Sequence, residues 1–133
     1  MEIYRSIDIE DAVRIALSEY QTVYCAPLPA EYDLPNILVT ATGGSSASTA
    51  TGRGKIDTFM IVLDARAETE GEAMEYLRNA VALLEATGRT AGISHVETNS
   101  LYSWGTDPVR PDLAMCSATL MVAAHREINI LNN

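Results

Sequence analysis

The residues that could do chemistry are few, and their spacings mostly fail the motifs they suggest. Gly52-Arg53-Gly54-Lys55 invites a phosphate-binding reading. A P-loop needs Gly, four residues, Gly-Lys and then Ser or Thr. Here Ile56 follows Lys55, and Thr49 stands where the opening glycine belongs. The dinucleotide fingerprint fails at its last position, which is Asp57. Gly43-Gly44-Ser45-Ser46-Ala47 lacks the final glycine of a nucleophile elbow. His95 and His125 stand far apart, and neither has a Cys or a second His at metal-ligand spacing. His95 has Glu97 two positions on, which reads as a surface pair along one strand face, and His125 reads as a solvated strand end. Glu68, Glu72 and Glu75 fall on the polar side of a predicted helix, where a charge run is a solvated face. Tyr102 and Trp104 beside Gly105 fit a binding surface, because aromatics are enriched in interface hot spots, and fit equally an aromatic packed over a sheet. No nucleophile, base or metal cluster converges. The expectation is therefore a protein that is not an enzyme and carries no cofactor or metal.

The elements that would position these residues follow from periodicity. The chain has 133 residues, the size of one domain. Apolar types make up 47% and charged types 20%, as in a globular protein. The net charge of −9 repels phosphate and argues against a nucleic-acid binder. The N-terminus, Met1 to Ser6, leads into an acidic segment, so no signal peptide is expected. The longest apolar runs, 60–63 and 120–124, are too short to span a bilayer. Cys25 and Cys116 lack C-x-x-C spacing and read as free thiols.

Ile9, Ala12, Val13, Ala16, Leu17 and Tyr20 recur at helical spacing and predict an amphipathic helix over about 8–20, with Ser6 or Asp8 as its cap. Residues 22–25 read as a short strand, ended by Pro27 and Pro29. Residues 37–42 form a second strand after Pro35. Residues 43–54 hold no large apolar side chain and predict a long flexible loop, functional or disordered. Residues 55–66 are apolar on both faces in the middle, as in a central strand covered on both sides or by a partner subunit. Thr69-Glu70-Gly71-Glu72 is a capping box that opens a helix to about Thr87, with Gly88 at the expected C-terminal cap. Residues 93–98 and 101–104 read as strands, 105–112 as a turn and loop, and 113–126 as the last strand. The tail, 127–133, shows no period. The order predicts a single α+β domain over 1–133, with a mixed or antiparallel sheet of four or five strands and two amphipathic helices on one face.

The layout, from the first helix to Glu127, resembles the tail terminator proteins of long-tailed bacteriophages, a family of tail-completion and head–tail joining proteins that includes the lambda-type minor tail proteins. The segments that carry the likeness are the helix Ile9–Tyr20 and the proline-broken stretch from Ala26-Pro27-Leu28-Pro29 to Pro35-Asn36. That stretch runs directly into Ile37-Leu38-Val39-Thr40. A small-residue loop, the strand Phe59-Met60-Ile61-Val62-Leu63-Asp64-Ala65, the helix opening Glu70-Gly71-Glu72-Ala73, and the aromatic pair Tyr102 and Trp104 before the last strand complete it. The resemblance implies a ring, usually of six subunits, at the head-proximal end of the tail tube. Such a ring stops tube growth and offers a surface to the head connector. Its partners are further copies of itself, the tail tube protein and the connector or head-closure protein. DNA passes through without being specifically bound, and the acidic charge suits a channel wall. No membrane is involved, and the location is the virion neck, with the host cytoplasm during assembly. The expected interface residues are Gly44, Ser46, Thr49, Arg53 and Lys55 in and beside the loop, and Tyr102, Trp104 and Arg110 in the aromatic segment. Arg53 and Arg110 are included because basic groups on an acidic protein suit a neighbour's carboxylates. The alternatives are another neck component, or a small ligand-binding regulatory module with its ligand near Trp104 and residues 105–112.

Overall fold

The structure, a computed structural model, describes residues 1–46 and 55–132. Strand β1 (Glu2–Arg5) precedes helix α1 (Ile9–Leu17), strands β2 (Val23–Cys25), β3 (Asn36–Ser46) and β4 (Ile56–Ala67), and helix α2 (Glu70–Thr87). A 3-10 turn over Gly88–Ala91 leads to β5 (Ile93–Thr106), β6 (Ala114–His125) and β7 (Glu127–Ile130). The predicted α+β class holds. A five-stranded mixed sheet runs in the order β2-β3-β4-β6-β5, with only the β2–β3 pair parallel.

The helices begin where the cap residues dictate. Asp8 Oδ1 accepts the Asp11 N–H (3.2 Å), and Thr69 Oγ1 accepts the Glu72 N–H (3.2 Å). Ser6, the other candidate cap, instead donates to Asp57. Gly88 continues in right-handed helical geometry, and the left-handed residue that ends the turn is Gly92, with φ 88°. The sequence reading placed the terminating glycine four positions early because the 3-10 turn extends the helix.

One face of the sheet lies under both helices. Ile37, Val39, Ile61, Leu63, Ala65, Cys116, Ala118, Leu120 and Val122 meet Val13, Leu17, Ala73, Leu77, Ala80 and Leu84 in one core. Alternation sends the other side chains of the same strands outward. Register places Thr40, Val62 and Thr119 in one row across that opposite face, and Gly43, Met60 and Met121 in the next. No helix among the described residues covers this face, and Met60, Val62 and Met121 on it are half-buried. Of the two-sided apolar pattern of residues 55–66, one side is therefore covered by helices, and on the other no helix lies among the described residues.

Three expectations need correction. The loop at 43–54 does not begin at Gly43, because β3 continues through Ser46, paired residue by residue with Asp57–Met60 of β4. The rest of that expected loop lies outside the described residues. The two strands at 93–98 and 101–104 are one strand, β5, broken in register between Thr98 and Ser103 and reaching Thr106. The tail is not irregular: Glu127–Ile130 pairs antiparallel with Glu2–Arg5 in a separate two-stranded ribbon. Neither strand shows alternation strong enough to read from sequence, and each is defined by its partner at the far end of the chain.

Candidate assembly surface

The site is built from strand edges and the stem of a hairpin. β2 pairs only with Ile37–Val39, so Thr40–Ser46 of β3 leaves one side of its backbone unpaired with any strand among the described residues. Helix α1 reaches this edge once: Glu10 Oε2 accepts the Ala41 N–H at 2.9 Å. β5, 14 residues long, forms the opposite edge and, among the described residues, pairs only with β6, which leaves its outer side without a strand partner there. Leu101 on this edge strand is 51% exposed. Unpaired edges are templates for another strand.

At the hairpin stem, Asp57 is buried (side chain 5% exposed) and gathers three elements. Ser6, just after β1, donates to Oδ2 at 2.6 Å; Ser46, at the end of β3, donates to Oδ1; and Arg126, between β6 and β7, donates through Nε at 3.2 Å. Burial pushes the carboxyl up, but the two serine hydroxyls and the arginine outweigh it and hold Asp57 below the ordinary carboxylate range. This junction ties the terminal ribbon to the hairpin. Gly44 belongs to the same stem. A Cβ there would run into the Thr58 carbonyl, so only glycine permits this strand approach.

At the other end of the open face, the segments 26–35 and 107–113 fold over the strand ends. Arg66 and Asp107 form an ion pair there (Nε to Oδ2, 2.6 Å), with side chains 8% and 4% exposed. Asp107 Oδ1 accepts the N–H groups of Val109 and Arg110 (2.8 and 3.0 Å). Burial raises this carboxyl, and the Arg66 guanidinium with the two N–H groups reverses that and holds it low.

The predicted interface residues separate into groups. Gly44 and Ser46 are ladder residues of the stem, and Lys55 lies beside them, its carbonyl accepting the Arg126 N–H. Thr49 and Arg53 lie outside the described residues. Tyr102 and Trp104 sit on β5, away from the stem. Tyr102 takes a φ of 45° at the register break and packs its ring against the core, while Trp104 is 47% exposed opposite Cys116. Arg110 is half-exposed on the 107–113 segment. It pairs with Asp112 in its own loop (2.9 Å), and that carboxylate holds it above its ordinary value. Cys25 and Cys116 are free thiols, both pushed up by burial.

Sequence reasoning missed Asp57, Arg66 and Asp107. A charged residue inside an apolar strand was the available signal for the first two. Asp107 read as a turn residue, which it is, without its buried partner. No cluster of three or more His, Cys, Asp or Glu side chains that could hold a metal occurs among the described residues, and no helix among them is long and apolar enough to cross a membrane. Compared with known proteins, the chain matches no family model and no curated protein.

Proposed function

We propose that this chain is a structural subunit that closes into a ring, and that the ring is the tail terminator of a long-tailed phage, halting tube growth and presenting the head-joining surface. The observation that carries the ring is the polarity of the two free edges. β3 is antiparallel to β4, β4 to β6, and β6 to β5, so β3 and β5 run in opposite directions. Copies repeated in one orientation around an axis therefore bring β5 of one beside β3 of the next in antiparallel register, the favoured pairing. Such head-to-tail contact closes into a ring when the rotation per copy is right.

Sheet closure of this kind keeps all helices on one side. Their bulk favours the outer side, which turns the open sheet face to the lumen. Register puts Thr40, Thr58, Met60, Val62, Ser117, Thr119 and Met121 on that face. Its acidic residues include Asp64, which accepts from Ser117, and Glu97. Arg66 is its one lysine or arginine among the described β3, β4, β5 and β6 positions, and it is buried; His95 and His125 also fall on this face. A wall with hydroxyls, thioethers and no exposed lysine or arginine suits passage of DNA without adhesion. In this arrangement the acidic side chains of α1 and α2 would face outward, and Asp64 and Glu97 would supply the acidic charge of the wall.

Native mass spectrometry over a range of concentrations, with negative-stain images, tests the ring. Closed rings, six-membered by the resemblance, are expected. Addition to unterminated tail tubes should stop their growth. A monomer at every concentration that leaves tube growth unchanged overturns the reading.

A further inference from the structure

Strand β5 is 14 residues long, yet its ladder with β6 is interrupted. Thr98 stands opposite Leu120 and Ser103 opposite Ser117, so residues 99–102 of β5 span only 118 and 119 of β6. Within that stretch Tyr102 takes a φ of 45°, a left-handed conformation that is strained for a bulky side chain. The opposite edge of the sheet changes at the same height. β2 covers β3 over Ile37–Val39 and stops, so among the described residues β2 is outermost as far as Val39 and β3 from Thr40 onward. Register ties the two breaks together. Thr40 is paired with Val62, Val62 with Thr119, and Thr119 with Ser100, inside the interrupted stretch of β5. We propose that these breaks fit each other where two copies of the chain meet. β5 of one copy pairs with β3 of the next over 93–98, and changes partner to β2 of the next over 103–106. This rests on the ring reading and adds β2 to it as a second partner strand.

Three observations carry the change of partner. First, the direction is right for both halves. β2 runs parallel to β3, so an incoming β5 that is antiparallel to one is antiparallel to the other. Second, an axis along the strands keeps equivalent residues at equal height, so each row of one copy continues into the next. Ser45, Thr58, Ala123 and His95 form one row, and Val23, Ile37, Ala65, Cys116 and Trp104 form another. His95 then meets Ser45 of the next copy, and Trp104 meets Val23 of the next copy. Ile37, Ala65 and Cys116 belong to the core, so the second row lies on the helix side of the sheet. There Trp104 is 47% exposed at one end and Val23 is half-buried at the other. Contact between them buries the indole against an apolar neighbour. Third, among the described residues the sheet is four strands wide at the hairpin stem and five wide where β2 lies. A ring built from it flares toward the β2 end, and an edge strand that follows both widths has to bend. Bulges bend a strand, and two of the register breaks of β5 lie at the height where the width changes.

The test is hydrogen exchange of the unmodified full chain, read by mass spectrometry in the dilute monomer and in the ring. Ring closure through the sheet edges should slow residues 93–98 and 40–46. The change of partner should slow 103–106 and 23–25 with them, by at least about tenfold. Slowing confined to 93–98 and 40–46 leaves the ring standing and overturns the change of partner; the break in β5 would then serve only to seat Tyr102. Rings in which neither half slows overturn the edge pairing and the proposal with it. A chain that forms no ring, alone or on tail tubes, overturns the ring reading as well. A mixture of two variants then fixes the register: Val23→Cys in one chain and Trp104→Cys in the other, both with Cys25→Ala. Paired Cα atoms of antiparallel strands stand about 4.5–5.5 Å apart, within disulfide reach. Oxidation of the mixed ring should therefore join the two chains, and rings that oxidise without joining them overturn the proposed pairing. If the variants do not assemble, exchange in the unmodified chain decides.

Discussion

Asp57 reads in the sequence as one charge inside a strand pattern, and nothing near it announces a junction. Its partners Ser6, Ser46 and Arg126 lie 51, 11 and 69 positions away. Replacing it with Asn removes charge-assisted hydrogen bonds and should cost about 2 kcal/mol. The loss is expected first in the terminal ribbon, as faster amide exchange of β1 and β7 than of the central sheet. Equal exchange across both sheets would refute the junction. The depressed carboxyls of Asp57 and Asp107 also set a pH dependence. Each binds its proton more weakly folded than unfolded. Their stabilisation is complete above the unfolded value, about 4, and is lost as pH falls through the folded values. The denaturation midpoint contributed by these groups should therefore stay level near neutrality and fall below about pH 4, with a shallower fall when both are Asn. Gly44 shows the reverse case. Sequence placed it in a mobile loop, yet it allows close strand approach. Gly44→Val should disrupt the hairpin stem, while Gly71→Ala, which meets no atom within 4 Å, should be tolerated. Thermal unfolding of the two variants distinguishes these outcomes.

Elements were legible where the signal is local. The box at Thr69 and Glu72 and the helical spacing of α1 depend on residues within a turn of each other, and both helices appear there, although α1 stops at Leu17 and leaves Tyr20, expected on its apolar face, exposed beyond its end. β1 and β7 were not legible, since each is a strand only because the other pairs with it. The extension of β3 through Gly43–Ser46 was hidden for a similar reason: small polar residues have weak strand preference, and β4 imposes the ladder on them. At this scale the free edges make their own prediction. Glu10 occupies the Ala41 N–H on the β3 edge, the group an incoming strand would need. Glu10→Ala should expose that amide to faster exchange in the monomer and move assembly to lower protein concentration. Unchanged assembly would mean that the contact only ties α1 to the sheet. On the opposite edge, Leu101→Lys puts a charge on an already exposed position of β5. It should leave the monomer folded and block ring formation, as charged residues on natural edge strands do.

For the molecule as a whole, composition, charge and periodicity by themselves determined the size class, both helices, the central strands and the α+β arrangement. They also determined that no familiar catalytic motif is spelled out. These follow from local propensity and from the burial pattern each element carries along its own length. Only the tertiary structure decided that the sheet has one open face and two free edges of opposite direction. It alone brought the chain's first and last strands into a ribbon pinned at Asp57, and placed Arg66 against Asp107 at the strand ends. Those features are relations between residues far apart in the chain. Register, strand order and burial of a shared pair depend on the closing of long loops, which no window of sequence records.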